Sequence, residues 1–130
     1  FAAGHCTEKA RFIMLNKNDR TMELYVEAGA YARLLSDIGT KAAVAMSKVL
    51  PAKDSDRLVV LLNRIDEIKS RADDQLFSDY PDIGNEGTDV FYGTLSQEPR
   101  NELDEEVIRT AKSRFSDLFG DEARGSGDAD

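Results

Sequence analysis

At 130 residues and a net charge of −8, the chain has the length of one domain, and direct nucleic-acid binding would have to work against its own field. Hydrophobic residues at 41% and charged residues at 32% describe a chain able to bury a core, which excludes a wholly disordered protein. No apolar run approaches the ~20 residues of a membrane span, no secretory leader is evident, and the lone cysteine, Cys6, fits a reducing compartment, so the expected location is cytoplasmic.

The charge is unevenly spread. Residues 1–53 hold 8 Lys or Arg against 5 Asp or Glu, whereas residues 54–130 hold 9 against 20. A solvated acidic half offset by a basic one is the plainer reading; an acidic surface that docks a basic protein is the sharper one.

Residues 7–16 include a short apolar run, Phe12 to Leu15, too short for periodicity to separate a helical turn from a strand. Two readings stand for residues 7–26. One is a short β-hairpin turning at residues 17–20, with Met22, Leu24 and Val26 alternating along its second strand. The other, preferred because a 3.6-residue pattern already runs through Tyr25, is a short helix, a break at residues 16–19 and an N-cap from Asn18 or Asp19.

Residues 22–49 are the segment around which the rest is organised. Tyr25, Ala28, Ala32, Leu35, Gly39, Ala42, Met46 and Val49 recur at steps of three and four, one stripe of a long α-helix. Its small residues admit a close neighbour, and Ala28, Ala32, Leu35, Gly39, Ala42 and Met46 are the expected self-association surface of a two-fold homodimer. Gly39 marks a kink or a close crossing. Arg33, Asp37, Lys41 and Lys48 are expected on the outer face, with Asp37 and Lys41 paired across one turn. The helix should stop at Leu50, ahead of Pro51.

Asp54 is the expected N-cap of a second helix whose apolar face is Leu58, Leu61, Leu62, Ile65, Ile68, Ala72 and Leu76. The short link through Pro51 folds it back as an antiparallel helical hairpin. Residues 78–99, rich in Gly, Asp, Asn and Pro, form an irregular insert that could hold a short strand at residues 89–95. Tyr80, Ile83, Val90 and Phe91 either cap the open end of the helical core or serve a binding loop. A third helix starts near Pro99 or Arg100, buries Leu103, Val107, Ile108, Ala111, Phe115, Leu118 and Phe119, and stops at Gly120; its first turns are acidic and its end basic, the polarity that complements the helix dipole. Residues 121–130 read as a disordered acidic tail following a single helical domain over residues 1–120.

Catalytic signatures are sparse. His5 and Cys6 are adjacent, so their side chains diverge and a Cys/His nucleophile pair is poorly supported. Asp82, Gly84, Glu86 and Gly87 fail the EF-hand pattern at the third position and, with Gly93, at the twelfth. Neither a phosphate-binding GxxxxGK[ST] loop nor a GxSxG elbow is present. Glu23 with Glu27, and Glu102 with Glu106, are four apart and could carry magnesium on facing helices in a small all-α nucleotide or phosphate-ester hydrolase. An acidic nucleic-acid mimic that inhibits a basic nucleic-acid-binding protein follows from the charge alone.

Taken together, the sequence predicts a mainly α protein: a small helical bundle built on a long helix and an antiparallel hairpin, with an irregular insert. The expected function is a non-catalytic interaction or regulatory one, without a cofactor. Its protein partner would be engaged through Tyr80, Phe91, Tyr92, Glu102 and Glu105, in the aromatic loop or the acidic half.

Overall fold

The computed structural model describes residues 13–120. Three α-helices account for most of them: α1 (Met22–Met46), α2 (Ala52–Asp79) and α3 (Glu102–Asp117), with short 3-10 turns at Lys17–Asp19 and Gly84–Asp89. No strand occurs among the described residues, so the mainly helical expectation holds. The first arm of the alternative hairpin falls largely in residues 1–12, outside those described; Met22 to Val26, its second arm, are helical. The acidic tail likewise lies outside. No described helix is long and apolar enough to cross a membrane.

Each helix is capped one to three residues from the expected position. Asn18 and Asp19 lie in the 3-10 turn, and Thr21 caps α1 by accepting from the Leu24 amide at 3.3 Å. Pro51 itself stands at the N-cap of α2, so Asp54 sits in the first turn, where its charge still favours the positive end of the dipole. Asn101, just after the expected start near Pro99 or Arg100, caps α3, accepting from the Asp104 amide at 2.8 Å. α1 gives way to a tight turn after Met46, four residues short of Leu50. Gly120 adopts φ 66°, the left-handed conformation expected of a stop.

The hairpin is antiparallel. Arg20 and Tyr25 meet Asp79, Ser36 meets Lys69, and Gly39 packs against Leu62, where a Cβ would run into the Leu62 side chain. Gly39 is therefore a close crossing. α3 runs antiparallel to α1 on another side, tied by Arg33 to Asp104 and by Glu27 to Arg114.

Among the described residues, the core lies at one end of this arrangement. Tyr25, Val26 and Ala30 of α1, Leu76 of α2, Val90 and Phe91 of the insert, and Val107 and Ala111 of α3 form a single buried cluster. Gly29 permits it: a Cβ there would collide with the Val90 carbonyl, so the insert can lie on α1 only because that residue has no side chain.

The expected stripe on α1 needs correcting. Its buried residues are Tyr25, Val26, Gly29, Ala30 and Arg33, whereas Ala28, Leu35 and Met46 are exposed. The helix serves two neighbours rather than one. Tyr25 and Gly39 belong to the seam with α2, and Val26, Gly29, Ala30 and Arg33 to the side facing the insert and α3. A count begun at Tyr25 finds the first and overlooks the second.

Arg33, expected on the outer face, is fully buried. Its guanidinium donates to Asp104 Oδ1 at 2.7 Å and to the carbonyls of Asp89, Gly93 and Thr94 at 3.0, 3.1 and 2.9 Å. Asp104, equally buried, also accepts from Gln97 Nε2 at 3.2 Å and the Arg100 amide at 2.9 Å. Burial opposes ionisation of Asp104, but the Arg33 guanidinium and these other donors outweigh it and hold the carboxyl below its ordinary range. Asp37, expected to pair with Lys41, instead accepts from the Leu95 amide at 3.0 Å. These bonds stand in place of the short strand that residues 89–95 could have held: the insert satisfies its carbonyls with a side chain rather than a neighbouring strand.

A second polar cluster closes the far end of the core. Asp79 accepts from Arg20 Nε at 2.7 Å and from the Tyr25 hydroxyl, and the Arg20 and then the Tyr25 bond hold its carboxyl well below the usual range. Burial, reinforced by Asp79, pushes the Tyr25 hydroxyl up to about 12.

Candidate interaction surface

With the core confined to one end, much of the hairpin has none of the described residues packed on it. At ~100° per residue, the α1 residues that meet α2 (Tyr25, Ser36, Gly39) and those that meet α3 and the insert (Gly29, Arg33, Asp37) leave a third of the circumference free. That third is apolar. Leu24, Ala28, Tyr31, Leu35, Ile38, Ala42 and Ala45 follow one another at alternating steps of four and three, and Val49 continues the row in the turn beyond. All but the half-buried Ala42 are exposed, and the large ones show between 40% (Leu24) and 79% (Val49) of their surface.

α2 extends the band. Leu62 and Lys69 touch α1, so Leu61 and Ile68, one residue earlier, flank that seam; Phe77, which meets the insert at Gly87, follows Leu76 and lies on the opposite flank. Leu61 and Ile68 therefore face away from the insert and α3, on the side where α1 shows its apolar row, and both are more than half exposed. The sequence placed all seven apolar residues of α2 on one core face; Leu61 and Ile68 lie outside it. Together the large side chains of the band present on the order of 700 Å² per chain, above the ~300–600 Å² of the largest apolar patch on a typical monomer. A smaller apolar group lies at the C-terminal end of α3, where Phe115 meets Phe119 edge-on at 5.3 Å and Leu118 is exposed.

The residues singled out from sequence are distributed as follows. Phe91 is 2% exposed and belongs to the core. Tyr80 is half-buried, edge-on to Tyr25 at 6.0 Å, and its hydroxyl donates to the Arg20 carbonyl at 3.0 Å. Tyr92 is half-buried beneath Lys69, whose Nζ lies 5.0 Å from the ring centroid. The three aromatics thus close the end of the bundle. Glu102 and Glu105 are exposed on the first turn of α3. Of the self-association residues, Ala28, Leu35 and Met46 are exposed and Ala42 half-exposed, Gly39 is spent on Leu62 within the chain, and Ala32 packs against the core.

Glu23, Glu27 and Glu106 do line one groove of about 410 Å³ between α1 and α3, without Glu102. Arg114 reaches into it and binds Glu27 at 2.9 Å, placing a cation of the chain's own where a metal would have to sit. No trio of His, Cys, Asp or Glu among the described residues is arranged to hold a metal ion. A larger groove, about 930 Å³, runs between α1, residues 94–99 and α3, with Lys41 and Lys112 among its lining residues.

Leu24, Tyr31, Ile38, Ala45, Leu61 and Ile68 are the surface residues that the sequence reading left out of the candidate set. The signal was there: a count begun at Leu24 instead of Tyr25 yields an unbroken apolar row. Comparison with protein families, with curated proteins and with solved structures finds no match to this chain.

Proposed function

We propose that the protein is a non-catalytic interaction module that engages a macromolecular partner through the outward apolar face of its helical hairpin. The observation that carries this reading is the continuous exposed band on α1 and α2, on the face of the hairpin turned away from the core that the described residues form. Covering such a band removes apolar surface from water at a gain of roughly 25 cal/mol per Å² before association costs. The buried Arg33–Asp104 network supports the same reading, because it holds α3 and the insert to one side of α1 and leaves the other side open.

The test is a Leu35→Glu/Ile38→Glu double variant. Both side chains are about half exposed, so its helical circular dichroism should stay near wild type and its stability within about 1 kcal/mol of the dissociated wild-type chain. Association, read as assembly mass by light scattering and as proteins retained from a native lysate, should be lost. A folded variant that associates as the wild type does would remove this face as the working surface.

A further inference from the structure

Resting on that reading, we infer that the occupant of the hairpin face is a second copy of this chain, laid antiparallel along α1 about a two-fold axis between Leu35 and Ile38. The row Leu24, Ala28, Tyr31, Leu35, Ile38, Ala42, Ala45, Val49 has the four-three spacing of a coiled-coil seam. It is also symmetric about its own centre. Reversed and laid against itself, it sets Leu35 opposite Ile38, Tyr31 opposite Ala42, Ala28 opposite Ala45 and Leu24 opposite Val49, so all eight positions are used. The bulkiest residue meets one of the smallest, and the alanine layer lets the two helices approach closely. A parallel copy would stack Tyr31 on Tyr31 and Ala28 on Ala28, leaving one layer crowded and another empty.

Charge selects the same orientation. One flank of the row carries Glu27 near its start and Lys41 and Lys48 near its end. An antiparallel copy brings Glu27, whose Oε2 already holds Arg114 of its own chain, alongside Lys41 and Lys48 of the other chain, twice by symmetry, whereas a parallel copy sets Glu27 beside Ala32. The area is sufficient as well: the band offers on the order of 700 Å² per chain, against the ~800 Å² per partner of a standard interface. Because α2 lies on the opposite flank of α1, the two α2 helices come together on one side. Leu61 and Ile68 enter the shared seam, and the assembly is an antiparallel four-helix bundle with a three-helix core at each end.

Cross-linking decides it. In a Cys6→Ser background, Ala28→Cys and Ala45→Cys place single thiols at exposed positions of α1. A mixture of the two variants should give a covalent dimer with a short bis-maleimide linker, while Ala28→Cys alone should give at least tenfold less, since an antiparallel seam holds its two thiols about 25 Å apart. Efficient linkage of Ala28→Cys alone would overturn the antiparallel register. A wild-type chain of monomer mass by light scattering, with no linkage from any combination, would overturn the second copy. If the wild type were monomeric and Leu35→Glu/Ile38→Glu still abolished lysate binding, the docking face would stand and only its occupant would fall; if that variant changed nothing, both would fall.

Discussion

Replacing Asp104 by alanine should destabilise the protein by about 3–5 kcal/mol, the cost of leaving a buried charge without its partner. Arg33 has no route to solvent, with its side chain fully enclosed between α1, the insert and α3. Without Asp104 its charge faces only the carbonyls of Asp89, Gly93 and Thr94, and the amides of Arg100 and Gln97 lose their acceptor. Arg33→Met should cost at least as much, since it orphans those carbonyls in addition to Asp104. The double variant Arg33→Met/Asp104→Leu should be less destabilised than the two single costs combined, because the groups strained in one single variant are absent in the other. Urea titration followed by far-ultraviolet circular dichroism measures all three. A loss below about 1 kcal/mol for Asp104→Ala would show that the insert is not held by this pair.

Phe91→Ala should cost a similar ~3–5 kcal/mol, the range for emptying a buried aromatic site. Phe91 is almost wholly buried and shares its cluster with residues from all three helices, so its removal opens a cavity where α1, α2, α3 and the insert converge. Tyr92→Ala should cost less, since Tyr92 is half-exposed and contributes mainly the ring under Lys69. The comparison separates the two roles that the sequence left open for these aromatics. Were Phe91 a docking residue, its truncation would leave the melting temperature within a degree or two and act on association alone.

What the sequence made legible was whatever depends on neighbours in the chain. The helical identity of residues 22–46 and 52–79, the fold-back at Pro51, the close approach at Gly39, the polarity of α3 and the stop at Gly120 all follow from local spacing, capping chemistry and dihedral preference. The caps themselves slipped by a residue or more, because Thr21, Pro51 and Asn101 compete with equally plausible neighbours. Arg33 was not legible. Its burial is licensed by partners 56 to 71 positions away, and no local feature distinguishes it from the solvent-side Lys41 two turns on.

The seam on α1 was misplaced for a different reason. Apolar or small residues start at three consecutive positions, Leu24, Tyr25 and Val26, and each begins a row at helical spacing. A helix that packs on one neighbour has one such row; this one has a row for α2, a row for α3 and the insert, and a row left over. Periodicity counts rows but does not say which are already covered within the chain. Only the positions of Asp104, Leu62 and Val90 settle that, and the row they leave uncovered is the candidate site.

Hydrogen exchange of the wild-type chain at two concentrations about a hundredfold apart tests most directly whether that row is covered by another copy. Amides in residues 37–46 and 52–62, remote from the core, should exchange more slowly at the higher concentration, because association stabilises the bound form by mass action. In Leu35→Glu/Ile38→Glu the same amides should exchange at one rate throughout. Equal protection of the wild-type hairpin at both concentrations, with a monomer's mass at each, would contradict a hairpin completed by its own second copy.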